Sequence, residues 1–78
     1  MMRYQRHVSV GRTLERQIVA VFDDGTVQRT TYMQTPDQPW WRFDRSWETH
    51  PAPIELAELQ RQLLLDCYVL QSIEKEAA

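Results

Sequence analysis

Apolar and polar residues alternate loosely through residues 2–10, with Tyr4, Val8 and Val10 on one side, which predicts a strand. Gly11 interrupts the pattern. Residues 15–22, Glu-Arg-Gln-Ile-Val-Ala-Val-Phe, make the clearest strand of the chain. Residues 26–33 are rich in β-branched and aromatic types and form the expected return strand. Between them stands Asp23-Asp24-Gly25-Thr26, a hairpin signal, because glycine tolerates the positive φ of a tight turn. The loop length is open. A two-residue Asp24-Gly25 loop and a three-residue Asp23-Asp24-Gly25 loop place opposite faces of the return strand against the core.

Residues 34–53 show no clean period, with Pro36 and Pro39 at one end and Pro51 and Pro53 at the other. The run Trp40-Trp41-Arg42-Phe43-Asp44-Arg45-Ser46-Trp47 has room for a short third or fourth strand, since Trp41, Phe43 and Trp47 share a parity. Residues 53–76 read as a helix. Proline is tolerated in the first turn, and Glu55 and Glu58 sit where the positive helix end favours acids. Leu56, Leu59, Leu63, Cys67 and Leu70 fall on one narrow stripe at helical spacing, widened by Leu64 and Tyr68. Leu65 and Val69 lie off that stripe, about 160° and about 120° from Leu63 at the 100° step of an α-helix. The expected fold is therefore α+β: a small antiparallel sheet of two to four strands, with one long C-terminal helix packed on it.

A chain of 78 residues makes one domain, residues 1–78. Such a domain buries only about 60% of the surface its unfolded form exposes, so it benefits from a staple. Cys67 is the lone cysteine, which excludes an intrachain disulfide and suits a reducing compartment. His7, His50 and Cys67 have no metal-ligand spacing, so neither a metal nor another cofactor is expected. Self-association or a partner is the staple that remains. No stretch approaches the roughly 20 apolar residues of a membrane span. The start of the chain lacks the apolar core of a signal peptide, so a cytoplasmic location is expected.

The net charge of −2 is unevenly spread: residues 1–45 carry seven Arg against five acids, and residues 46–78 carry Arg61 and Lys75 against six acids. The two halves are expected to neutralise each other in the fold. Such asymmetry also offers a way to steer a partner.

Catalysis is not expected. Cys67 falls on the main apolar stripe, where a free cysteine is ordinarily a small core residue. Ser9, Ser46 and Ser72 lack a nucleophile-elbow context, and the only glycines, Gly11 and Gly25, build no phosphate loop. Asp23-Asp24 is accounted for by turn chemistry.

Two binding readings remain. Trp, Tyr and Arg are the commonest hot-spot residues of protein interfaces, and Trp40, Trp41, Arg42, Arg45 and Trp47 crowd one segment, which marks them as candidate partner contacts. Leu65, Val69 and Ile73, off the core stripe, are candidates for self-association as a homodimer. The runner-up is a nucleic-acid-binding regulator. Arg3, Arg6, Arg12 and Arg16 flank Tyr4 and His7, and Arg42 and Arg45 interleave with stackable rings, but the pI near 5.6 weighs against it. In composition, with three Trp and eight Arg to one Lys, the chain resembles small accessory proteins of bacteria, phages or plasmids. That resemblance implies an inhibitor or adaptor of another protein.

Overall fold

The computed structural model describes residues 1–49 and 55–75. The elements in chain order are β1 (Met2–Val10), β2 (Thr13–Val21), β3 (Val27–Thr35), β4 (Gln38–Thr49), α1 (Leu56–Leu65) and β5 (Val69–Ile73). All five strands join one antiparallel sheet in the order β4-β3-β2-β1-β5. The first four strands are a meander. Helix α1 then carries the chain across the sheet, so that β5 pairs with the free edge of β1.

Turn chemistry sets the meander. Val10 pairs with Thr13, leaving Gly11 and Arg12 as a two-residue loop, and Gly11 at φ 61° supplies the positive φ such a loop requires at its first position. At the next hairpin Val21 pairs with Val27. The Phe22 amide donates to the Thr26 carbonyl (2.9 Å), the Gly25 amide to the Phe22 carbonyl (3.0 Å), and Asp24 Oδ1 accepts from the Thr26 amide (2.8 Å). This is a three-residue Asp23-Asp24-Gly25 loop, with Gly25 at φ 87°. It places Val27, Arg29, Thr31 and Met33 on the face shared by Val19 and Val21.

The fold differs from the expected one. The sheet has five strands rather than two to four, and α1 is ten residues long rather than a helix running to residue 76. The helix stops because the chain turns at Cys67, whose φ is 67°. The Cys67 amide donates to the Leu64 carbonyl (3.1 Å) and the Tyr68 amide to the Leu63 carbonyl (3.0 Å), which is the hydrogen-bond pattern of a Schellman C-cap. Tyr68 and Leu63 are both buried, supplying the apolar contact that accompanies this cap. The turn frees Val69–Ile73 to pair with Met2–Gln5, which satisfies backbone groups at an otherwise open edge. Pro51 and Pro53, expected at the helix start, and residue 76 at its end lie outside the described residues.

Tyr4, Val19, Val21, Val27, Leu59, Leu63 and Tyr68 form the core, with Met2 packed against it. Helix α1 therefore covers one end of one sheet face. Leu59 and Leu63, four apart, meet the sheet, while Glu58 and Arg61 pair in solvent (2.5 Å). The Arg61 hydrogen bond holds the Glu58 carboxyl below its usual range.

Candidate functional site

The two sheet faces follow from the register. Rows on the helix side run Met2-Val21-Val27, then Tyr4-Val19-Arg29-Trp47, then Arg6-Gln17-Thr31-Arg45. Met2, Tyr4, Val19, Val21 and Val27 pack with Leu59 and Leu63 of α1, and Arg6, Arg29 and Arg45 bring charge to the rest of this face.

Strand β4 decides which aromatic residues join which face. Thr31 pairs with Arg45 and Tyr32 with Phe43, so Asp44 is an extra residue, a β-bulge. The bulge reverses the alternation. Phe43 lies edge-on to Tyr32 (6.1 Å between centroids), on the side away from α1. Trp47 lies across from Arg29 on the helix side. The shared parity of Trp41, Phe43 and Trp47 in the sequence therefore does not survive folding.

The five expected partner contacts consequently separate. Trp41 is half-buried against His7, with 5.6 Å between ring centroids. Those residues belong to strands separated by β2 and β3, so the sheet curls to make the face away from α1 concave. Trp40 projects at the sheet edge, 57% exposed, with the Arg42 guanidinium 6.0 Å from its ring centre. Arg42 also donates to the Gln38 carbonyl (3.1 Å). Only Arg45 and Trp47 meet at a common cavity.

That cavity, about 180 Å³, lies on the helix side beside Tyr68. Arg6, Arg29 and Arg45 line it with Gln17, Thr31 and Trp47. Arg6 is fixed on three sides: Nε donates to Gln17 Oε1 (2.7 Å), Nη1 to the Asp66 carbonyl (2.7 Å), and the guanidinium stacks 4.5 Å over the Tyr68 ring centre. The Tyr68 hydroxyl reaches Gln17 Oε1 (3.4 Å), and Gln17 Nε2 donates to Glu15 (3.0 Å). Arg45 pairs with its neighbour Asp44 (2.5 Å). Arg29 makes no hydrogen bond or ion pair within the described residues. Arg29, Gln17, Thr31 and Tyr68 were not among the sequence candidates. Their convergence depends on the loop length at Gly25 and on the turn at Cys67, neither of which has a unique local signature.

At the other edge of the sheet, β5 exposes Val69 (65%), Leu70 (41%) and Ile73 (74%). Leu64 and Leu65, at the end of α1, are also exposed. Leu65, Val69 and Ile73, the expected self-association residues, thus do not form a helical ridge: Leu65 ends α1, and the other two stand on an edge strand. Cys67 is exposed at the connecting turn rather than buried on a helix stripe. The Ser72 hydroxyl bonds Glu74 (3.3 Å). Among the described residues no group of three or more His, Cys, Asp and Glu is placed to hold a metal ion, and no helix is long and apolar enough to cross a membrane.

The chain matches no protein-family model, and the searches of curated proteins and solved structures return no match either.

Proposed function

We propose that this chain is a non-enzymatic protein-binding module that self-associates through β5. The observation that carries the reading is the apolar open edge. Val69–Ile73 contains no charge and no proline, its apolar side chains are exposed, and among the described residues no strand pairs with its outer edge. Such an edge is a template for an added strand. The opposite edge is protected by Pro39, by the Asp44 bulge and by Arg42 and Arg45. One device, the extra residue Gln71 opposite the Arg3/Tyr4 step, blunts β5.

The occupant is a second copy of the chain. Two β5 strands pair antiparallel across a two-fold axis, an isologous contact that joins the two sheets and brings Leu64, Leu65, Leu70 and Ile73 against their counterparts. A domain whose core, among the described residues, holds seven buried side chains gains stability from that burial. Trp40, Phe43 and Arg42, at the far edge, stay free for a different protein, which makes the dimer an adaptor or an inhibitor.

Sedimentation over a concentration series tests the dimer. The wild type is expected to dimerise, with a melting point that rises with concentration. Val69→Lys and Ile73→Lys alter exposed side chains, so these variants are expected to fold as monomers with unchanged circular dichroism. A wild type that stays monomeric at high concentration refutes self-association.

A further inference from the structure

We infer that the cavity between Arg6, Arg29, Arg45, Trp47 and Tyr68 is a binding site for a phosphoryl group carried next to a nucleobase, as in a nucleotide or a single-stranded nucleic acid. Three arginines line one cavity, and among the described residues none that lines it is acidic. Like charges gathered this way repel one another unless an anion joins them. The neighbouring acids serve only part of the cluster. Asp44 pairs with Arg45, and Glu15 contacts Gln17 rather than an arginine. Arg29 has no acceptor among the described residues.

The geometry is set before any ligand arrives. Gln17, the Asp66 carbonyl and the Tyr68 ring hold Arg6 in place; the first two occupy Nε and Nη1, and among the described residues no bond is made from Nη2. A fixed guanidinium loses little freedom on binding, and its planar fork matches phosphate oxygens. Thr31, which is buried, lines the same cavity. At about 180 Å³ the cavity has room for a phosphoryl group. Trp47 supplies the second half of the recognition. Trp47 lines the cavity and is 41% exposed, which leaves it open to a stacking base, and stacking on an aromatic ring tolerates any base. The site lies on the helix side of β1–β4, apart from the β5 edge, so it stands or falls independently of dimerisation.

The test is a titration of the full chain, observed by amide and arginine Nε–H NMR signals. The probes are inorganic phosphate, adenosine monophosphate and a ten-nucleotide single strand. Saturable shifts confined to Arg6, Gln17, Arg29, Thr31, Arg45, Trp47 and Tyr68 are expected. Affinity for the strand should fall with salt, and Arg29→Gln or Arg45→Gln should each weaken it about tenfold while lowering the log–log salt slope by about one. Trp47→Ala should weaken nucleotide and strand but not inorganic phosphate. Circular dichroism of each variant separates lost binding from lost folding. Equal affinity for nucleotide and strand identifies a nucleotide pocket, and a clear preference for the strand identifies a nucleic-acid groove; both support the site. Absence of saturable shifts with all three probes, or unchanged affinity in Arg29→Gln, overturns it. Equal affinity for phosphate and nucleotide overturns it as well, because the base would then play no part.

Discussion

Replacing Cys67 with glycine should stabilise the protein. An L-residue in the left-handed region costs about 1–2 kcal/mol, because its Cβ crowds the following carbonyl. Cys67 bears that cost at φ 67°. Its side chain is exposed, so removing it forfeits little packing. Glycine adopts the same backbone without the clash but loses more chain entropy on folding, about 0.5–1 kcal/mol. The difference leaves a net gain of roughly 0.5–1 kcal/mol. For a domain of this size each kcal/mol moves the midpoint by about 4–8 °C, so an increase of about 2–8 °C is expected. The assay is thermal melting by circular dichroism at one fixed protein concentration, with reductant present. Cys67→Ala is the companion variant: it also removes the thiol but keeps the Cβ, so its midpoint should stay near wild type. The result that refutes the reasoning is a lower midpoint for Cys67→Gly. That is what a continuous helix through residue 67 requires, since glycine inside a helix costs about 1 kcal/mol and a buried thiol would be lost as well.

The same turn makes a chemical prediction: the Cys67 thiol should react with a small disulfide reagent in the native protein nearly as fast as in urea, and strong native protection would mean the turn is not formed. At the β2–β3 hairpin, Gly25→Ala meets no steric neighbour but must hold φ 87°, so it should cost about 1–2 kcal/mol, read as a midpoint lowered by roughly 4–16 °C. An unchanged midpoint would show that the loop has other conformations open to it.

Local chemistry is what the sequence carries by itself. The turns at Gly11 and Gly25, the apolar, largely β-branched run Ile18 to Val21, and the Leu59–Leu63 spacing all depend on neighbours within a few residues. Each therefore has a signature in the chain. The course of the chain after residue 65 was decided elsewhere. Leu63, Cys67 and Leu70 continue the helical stripe of Leu56 and Leu59, and no glycine or asparagine between residues 63 and 73 marks a stop. The helix ends because Tyr68 packs into the core beside Tyr4 and Val19, and because Val69–Ile73 gains backbone partners along Met2–Gln5, some 68 residues away along the chain. That pairing is a long-range gain, and no window of the sequence contains both partners. The site shows the same division. The richness of β4 in Trp and Arg was visible, but the face each side chain takes was not. One extra residue at Asp44 inverts the alternation, and the three-residue loop at Gly25 sets which side Arg29 and Thr31 occupy. A strand has a period of two, so a single inserted residue moves every side chain beyond it to the other face, and only the paired register in three dimensions fixes where that insertion falls.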